Sequence, residues 1–129
     1  MGFYSFQDLL TNWINLVEVE NDETMRILEW GPGTSTILML KQIENCEIWT
    51  YESDELWYDY YKGKLPIHNV HLFHVPLEDG YCDAPRELGL KFHFIFVDGR
   101  SRVKCLEVAR DLIEDGGYVL LHDSPRNEY

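Results

Sequence analysis

The chain has 129 residues, of which 45% are hydrophobic and 14% aromatic, which is enough for one buried core and too few for two ordinary domains. Eleven Lys and Arg against 23 Asp and Glu give a formal net charge of -12. A surface of this sign repels phosphate backbones and anionic lipid headgroups. The composition therefore argues against nucleic acid or a membrane surface as the main partner.

The cysteine content and the apolar runs bear on the compartment. Cys46, Cys82 and Cys105 are an odd number of thiols without the spacing of a metal site. The amino-terminal stretch has no basic segment followed by an apolar one, and no apolar run approaches the ~20 residues that span a bilayer. We therefore expect a soluble, reduced, cytoplasmic protein.

Residues 1–20 have the pattern of an amphipathic helix at the start of a single domain that covers residues 1–129. Ser5 followed by Asp8 is typical of a helix start, because the hydroxyl caps the first turn and the carboxylate lies at its positive end. Apolar residues then recur at helical spacing. They are Phe6, Leu9, Leu10, Trp13, Ile14 and Val17. We expect this stripe to pack on the body of the domain or in an interface.

The next segment predicts a strand over residues 25–29, a Gly-Pro-Gly loop at 31–33 and a helix over about 36–43. A helix start leaves backbone N–H groups unpaired, and glycines let a ligand approach them closely. A P-loop needs a lysine directly after its last glycine, whereas the next lysine here is Lys41. The dinucleotide fingerprint needs a third glycine where Thr36 stands, so NAD is weakly supported. A turn without a ligand is the other alternative.

The second strand is predicted over residues 48–52 and ends on a carboxylate, as the first strand does. Glu52 follows Glu29 at close to the ~20-residue interval at which dinucleotide folds place an acid on the ribose hydroxyls. Because the carboxyl ends of parallel strands meet at one edge of a sheet, we expect both acids to face one ligand. An ordinary exposed strand end is the alternative for Glu52.

Residues 53–55 predict the start of a helix whose aromatic face we expect to lie in the core. A third strand is predicted over residues 70–75. His68, His71 and His74 follow at intervals of three, and a strand sends alternate side chains to opposite faces. We therefore predict no three-histidine metal site.

The connection over residues 76–90 predicts at most one short helix, beginning near Asp83 or Pro85. A connection this long in a small domain is often functional.

The last part of the chain predicts two strands and a helix. Residues 92–98 are continuously apolar up to the final aspartate, as expected of a strand buried on both faces. Ser101 is expected to cap a helix that ends at residues 114–117, and a fifth strand is predicted over residues 118–123. Strands that alternate with helices in this way predict a parallel sheet.

Three segments together resemble class I S-adenosylmethionine (SAM)-dependent methyltransferases. Residues 29–35 are similar to the first motif of that family, with Ser35 where many members have a third glycine. Residues 94–100 resemble its fourth-strand motif, and residues 115–123 resemble the Gly-Gly turn and fifth strand of small members. The resemblance implies a Rossmann-like α/β three-layer sandwich. Its mainly parallel five-stranded sheet would have the order 3-2-1-4-5 and would lack the usual C-terminal hairpin.

The resemblance also implies a SAM site at the carboxyl ends of the strands. Glu29 would face the ammonium or sulfonium end of SAM, directly or through water, and Glu52 would face its ribose. Residues 77–79 would border the adenine. The expected cofactor-binding residues are Glu29, Trp30, Gly31, Pro32, Gly33, Thr34, Ser35, Glu52, Ser53, Leu77, Glu78 and Asp98.

The activity implied by the resemblance is methyl transfer from SAM to an oxygen or nitrogen atom of a small-molecule acceptor. We expect His122 to be the base, because imidazole ordinarily titrates near neutral pH. A histidine that is only hydrogen-bonded at a strand end is the alternative. Asp123 and Asp98 would orient the base or the acceptor. Arg100 stands where a further acidic metal ligand would be needed and would repel a cation. We therefore expect Arg100 to clamp an anionic acceptor, and we expect no metal. The alternative that the resemblance implies is a divalent ion held by Asp98 and Asp123, as in metal-dependent O-methyltransferases.

Two other functions stay open at this stage. One is a SAM-binding subunit or interaction module without turnover. The other is a different SAM-consuming or nucleotide-dependent enzyme. The predicted fifth strand would leave an apolar sheet edge, which folded proteins normally cover. We predict that a second copy, in a homodimer, or the N-terminal helix covers this edge.

Overall fold

The computed structural model describes residues 23–97 and 101–121. Five strands form one parallel sheet in the order β3-β2-β1-β4-β5, so the predicted fold class and strand order are confirmed. The elements are β1 (Met25–Trp30), α1 (Thr34–Gln42), β2 (Cys46–Glu52), α2 (Glu55–Lys62), β3 (Val70–His74), β4 (Phe92–Val97), α3 (Arg102–Leu112) and β5 (Ile113–Leu121). The predicted helix within residues 1–20 lies outside the described residues. No helix in the described ranges is both long enough and apolar enough to cross a membrane.

The two central strands carry the core. Every residue of β4 is buried, which follows from its continuous apolar sequence and its place between β1 and β5. One face of the sheet packs against α1 and Leu65, through residues that include Ile27 and Phe94. The other face packs against α3 and the connection between β3 and β4. The sheet is thus covered on both sides, as a three-layer α/β fold requires.

The switch point of the sheet lies between β1 and β4, where successive strands begin to be added on the other side of β1. From β1 the chain continues to β2 and β3 on one side, and then crosses to β4 and β5 on the other side. Ligands of open parallel sheets bind outside the carboxyl ends of the strands at such a switch point. The loop that follows β1 begins at this point.

The aromatic face of α2 is not in the core, so that prediction is wrong. No residue of α2 is buried, and Leu56 and Trp57 are 80% and 46% exposed. The helix lies over β2 and over β3, which is the last strand on that side, so part of its surface extends beyond the sheet. Its first turn is held by the Asp54 carboxylate, which accepts hydrogen bonds from two backbone N–H groups. Tyr61 is the aromatic residue of α2 that packs against the core.

The connection between β3 and β4 contains two short 3-10 turns, at Leu77–Asp79 and Ala84–Leu88, where the sequence predicted at most one short helix. Glycines in the left-handed conformation end both turns, with φ of 84° at Gly80 and 66° at Gly89. A left-handed residue cannot continue a helix, so each glycine ends its 3-10 helix. The connection therefore folds as two separate turns.

The strand β5 begins at Ile113, five residues before the predicted start at residue 118. The Gly-Gly pair expected to end the preceding helix lies inside the strand, at a register irregularity against β4. Gly116 has a φ of 79°, and a Cβ at Gly117 would lie 2.7 Å from the carbonyl oxygen of His93. The two glycines thus allow a bulge at a close approach of two backbones.

The start of α3 also differs from the prediction. Ser101 occupies the N-cap position, but its side chain makes no capping hydrogen bond there. Its backbone is left-handed, with φ 58° and ψ 44°, a conformation in which the ordinary serine cap geometry is not available.

Candidate functional site

A buried carboxylate joins three elements at the switch point. Glu29, near the carboxyl end of β1, is 0% exposed. Its carboxylate accepts hydrogen bonds from Ser35 Oγ at 2.6 Å and Thr36 Oγ1 at 2.5 Å, both in the first turn of α1. Thr50 Oγ1, on β2, donates to the same carboxylate at 2.9 Å. A buried carboxylate needs such donors, and these three fix the start of α1 against β1 and β2.

The glycine loop is held by the same residues. Gly33 N–H donates to Thr36 Oγ1 at 3.1 Å, and Thr36 N–H donates to Gly33 O at 3.1 Å. Gly31 N–H donates to Tyr51 O at 2.9 Å, and its φ of 93° is one that glycine adopts without strain. Gly31 and Pro32 are buried, whereas Thr34 is exposed. The loop is therefore rigid at its base and open to solvent where α1 begins.

Trp30 places its side chain in the core, on the opposite face from Glu29. It is 0% exposed, and its Nε1 donates to Tyr81 O at 3.3 Å. The Tyr81 hydroxyl donates to Tyr51 O at 3.3 Å, the carbonyl that also accepts from Gly31. Burial raises the pKa of Tyr81 well above its ordinary value, so the hydroxyl remains a donor. Trp30 and Tyr81 thus support the loop from beneath.

Glu52 extends from the same face of the sheet as Glu29. Thr50 is the register partner of Glu29 and bonds its carboxylate, and side chains two residues apart on a strand share a face. Glu52 Oε2 accepts a hydrogen bond from Asp54 N–H at 2.9 Å, and Glu52 O accepts one from Val75 N–H at 2.9 Å. The second bond joins the ends of β2 and β3.

An open cavity of about 290 Å³ lies where β2 and β3 end. Its lining brings together three of the predicted cofactor-binding residues, Ser53, Leu77 and Glu78. The other lining residues are Asp54, Glu55, His74 and Pro76. With three carboxylates in its wall, the cavity favours cationic or polyhydroxyl groups and disfavours phosphates.

The predicted catalytic residues lie outside the described residues. They are Asp98, Arg100, His122 and Asp123. The strands that lead to them end in register, because Val97 on β4 pairs with Trp30 on one side and with Leu121 on the other. The chain therefore leaves β4 and β5 at the edge of the sheet where the glycine loop begins.

Three residues of this site were missed by the sequence analysis, namely Thr36, Thr50 and Tyr81. Thr36 carried a signal, since it replaces a glycine of the dinucleotide fingerprint with a hydroxyl beside an acid-ended strand. Thr50 is a polar residue between the aromatic residues Trp49 and Tyr51 in the middle of β2, which indicates a buried partner. The position of Tyr81 in a long connection gave no comparable signal.

No protein-family model and no curated protein sequence matches the chain. Solved structures do match. A proposed caffeoyl-CoA O-methyltransferase from Staphylococcus aureus superposes with a TM-score of 0.71 at 19% identity, over 94% of this chain and 58% of that one. The chain has the fold of class I methyltransferases.

Two further structures share this methyltransferase fold. The precorrin 8W decarboxylase of Methanobacterium thermoautotrophicum gives a TM-score of 0.63 at 16% identity, over 94% of this chain and 64% of that one. The methyltransferase CalH, solved in complex with SAH, gives 0.57 at 16% identity, over 89% of this chain and 35% of that one. The chain thus spans less than two thirds of the length of these structures.

Proposed function

We propose that the chain binds SAM at the glycine loop and the neighbouring cavity, and transfers its methyl group to an oxygen or nitrogen atom of a small-molecule acceptor. The observation that carries this proposal is the buried Glu29 carboxylate, whose hydrogen bonds fix the open glycine loop. This loop lies beside the carboxyl end of β2, where Glu52 is the last residue. The fold supports it, because structures with the same strand arrangement include methyltransferases, one of them solved with SAH.

The described residues fit SAM better than they fit a phosphorylated nucleotide. The cavity beyond Glu52 has Asp54, Glu55 and Glu78 in its wall, and these carboxylates would repel a pyrophosphate. SAM carries no phosphate, and its sulfonium gives it a net positive charge. The hydroxyls of a ribose can donate to carboxylates such as Glu52.

The size of the cavity also fits part of this ligand. Its volume of about 290 Å³ is just below the ~300–1,000 Å³ of whole small-molecule pockets. We therefore assign the cavity to the adenosine half of SAM, between Ser53 and Leu77. We assign the open side of the glycine loop, at Gly33 and Thr34, to the amino-acid half, where backbone can approach closely.

The chemistry would depend mainly on positioning. When bound, SAM supplies a methyl group on a positively charged sulfur. The protein holds the acceptor in line with that methyl group and removes a proton from it. We assign proton removal to His122, orientation of the base or acceptor to Asp123 and Asp98, and binding of an anionic acceptor group to Arg100.

A second candidate is a SAM-binding module without turnover of its own. It is supported by what the described residues form, since the glycine loop and the cavity beside it would account for SAM binding by themselves. The residues to which we assign turnover lie outside the described residues. SAM binding is common to both candidates, and turnover separates them.

Calorimetry with SAM, SAH and NAD tests the binding step. We expect SAM and SAH to bind and NAD not to bind, and failure of SAM to bind at millimolar concentration would contradict the proposal. Release of labelled methyl group to a small-molecule fraction of cell extract then tests turnover. His122→Ala should keep SAM affinity and lose turnover, whereas binding without turnover in the unmodified chain favours the second candidate.

A further inference from the structure

Two cysteines from separate elements meet in the core. Cys82 lies in the β3–β4 connection (residues 75–91), between its two 3-10 turns, and Cys105 lies in α3. Their sulfur atoms are 2.9 Å apart, although the residues are 23 positions apart along the chain. This separation is less than 1 Å longer than the ~2.05 Å of a disulfide bond. Both are thiols in the structure.

One carbonyl group positions both cysteines. Ser101 O accepts a hydrogen bond from Cys105 N–H at 2.9 Å. The same oxygen also accepts a hydrogen bond from the Cys82 thiol at 3.6 Å. Ser101 is the non-glycine residue with positive φ within the described ranges, at 58°. This left-handed turn directs its carbonyl toward both residues, so the approach of the two sulfurs is built into the start of α3.

We propose that Cys82 and Cys105 form a reversible internal disulfide, which fastens the β3–β4 connection to α3 when the protein meets a small disulfide such as oxidised glutathione. The Cys82 thiolate attacks one sulfur of the small disulfide, which forms a mixed disulfide and releases one small thiolate. The Cys105 thiolate then attacks the Cys82 sulfur and releases the second. The two protons lost by the cysteines end on the two small thiols, and the cysteines are oxidised as the small disulfide is reduced.

The surroundings of the two thiols set the order of these steps. Cys82 is 6% exposed and Cys105 is 0% exposed, so the small disulfide reaches Cys82 first. Burial raises the pKa of both thiols, and at Cys82 the hydrogen bond with Cys105 and, to a smaller extent, the Lys104 ammonium act against this rise. Because the thiolate is the reacting form, oxidation is slow at neutral pH and speeds up as the pH rises. The pair therefore responds to sustained rather than brief oxidation.

The crosslink has a structural consequence near the glycine loop. Cys82 directly follows Tyr81, whose carbonyl accepts the hydrogen bond of Trp30. A disulfide that closes a loop of this length restricts the unfolded chain, and the midpoint of thermal unfolding should rise by roughly 10 °C. Oxidation should thus stiffen the layer that supports the loop.

The full chain tests this proposal without any variant. After incubation with oxidised glutathione at about pH 8.5, near the ordinary thiol pKa, we expect its mass to fall by two hydrogens. Only Cys46 should then react with an alkylating reagent after unfolding, and peptide mapping should join Cys82 to Cys105. Dithiothreitol should restore the original mass and lower the unfolding midpoint again.

Matched variants sharpen the result. Cys46→Ser should still lose two hydrogens, whereas Cys82→Ser and Cys105→Ser should not. A stable glutathione adduct on Cys82 with an alkylatable Cys105 would overturn the proposal. So would an unchanged mass of the full chain after prolonged incubation.

Discussion

Thr50 stands directly across from Glu29 in the paired strands β2 and β1, and its hydroxyl donates to the buried carboxylate at 2.9 Å. Ser35 and Thr36 donate to the same carboxylate from the first turn of α1. A side chain from a neighbouring strand therefore helps to set the position of a loop that begins on β1. This relationship makes the hydroxyl of Thr50 a direct test of the site's architecture.

Thr50→Val should reduce the free energy of unfolding by about 1–3 kcal/mol, because it keeps the shape of the side chain and removes one donor from a buried carboxylate. Urea unfolding measures the change. Thr24→Val is the control, since the Thr24 hydroxyl makes an exposed hydrogen bond to Asn45, and it should change stability by no more than about 0.5 kcal/mol. Equal effects of the two variants would contradict the role given to Thr50.

Gly31→Ala should destabilise the protein by about 1 kcal/mol or more, because Gly31 has a φ of 93° that a residue with a Cβ adopts only with strain. It should also weaken SAM binding, since the loop would shift. Gly63→Ala is the matched control, because Gly63 has a helical φ of -86° and a Cβ there would meet nothing within 4 Å. Thermal unfolding and calorimetry of both variants measure the difference. A neutral Gly31→Ala would show that the loop tolerates another conformation.

Glu52→Gln should raise the Kd for SAM by about 10- to 100-fold, the range expected when a hydrogen bond to a charged group is lost. Glu47→Gln, at the other end of the same strand beside His71, should leave the Kd unchanged. Calorimetry with SAM gives both values. If the two variants bind SAM equally well, the ribose contact assigned to Glu52 is wrong, although the glycine loop can still be tested through Gly31.

The stability of the fold should decrease in alkaline solution, in part through Cys46. Burial raises the pKa of its thiol from 9.0 to about 11. Between these values the unfolded chain releases a proton that the folded chain keeps, so this contribution is complete below pH 9 and is lost as the pH rises toward 11. The expected loss is about 1.4 kcal/mol per pH unit.

Cys46→Val should remove this share of the slope, and urea unfolding at a series of pH values measures it. Burial also raises the pKa of other groups, namely Cys82, Cys105 and Tyr51. The free energy of unfolding of the variant should therefore still decrease with pH, but with a smaller slope. An identical slope in Cys46→Val would exclude Cys46 as a source.

The strands and their parallel pairing followed from local signals in the sequence, whereas the order 3-2-1-4-5 followed from the resemblance to class I methyltransferases. The sequence alone predicts β4 from its apolar run, and β1 from the apolar residues that precede Glu29 and the glycine loop. It also predicts the glycine loop as a candidate site. The bonds of Glu29 to Thr36 and Thr50 are not readable in this way, since they depend on which side chains share a face in the folded sheet.

The errors have a common physical cause. The aromatic residues of α2 looked like core residues, but the helix lies at the side of the sheet, and its exposure depends on a neighbouring layer that no local pattern reports. Gly116 and Gly117 looked like a turn, but they serve a bulge against β4. Local patterns identify which conformations a segment permits, and its neighbours decide which one is used.

A single oxygen atom, the carbonyl of Tyr51, accepts from Gly31 on one side and from Tyr81 on the other. The glycine loop and the segment at Tyr81 are therefore joined through one shared acceptor. We expect their fluctuations to rise and fall together in hydrogen exchange.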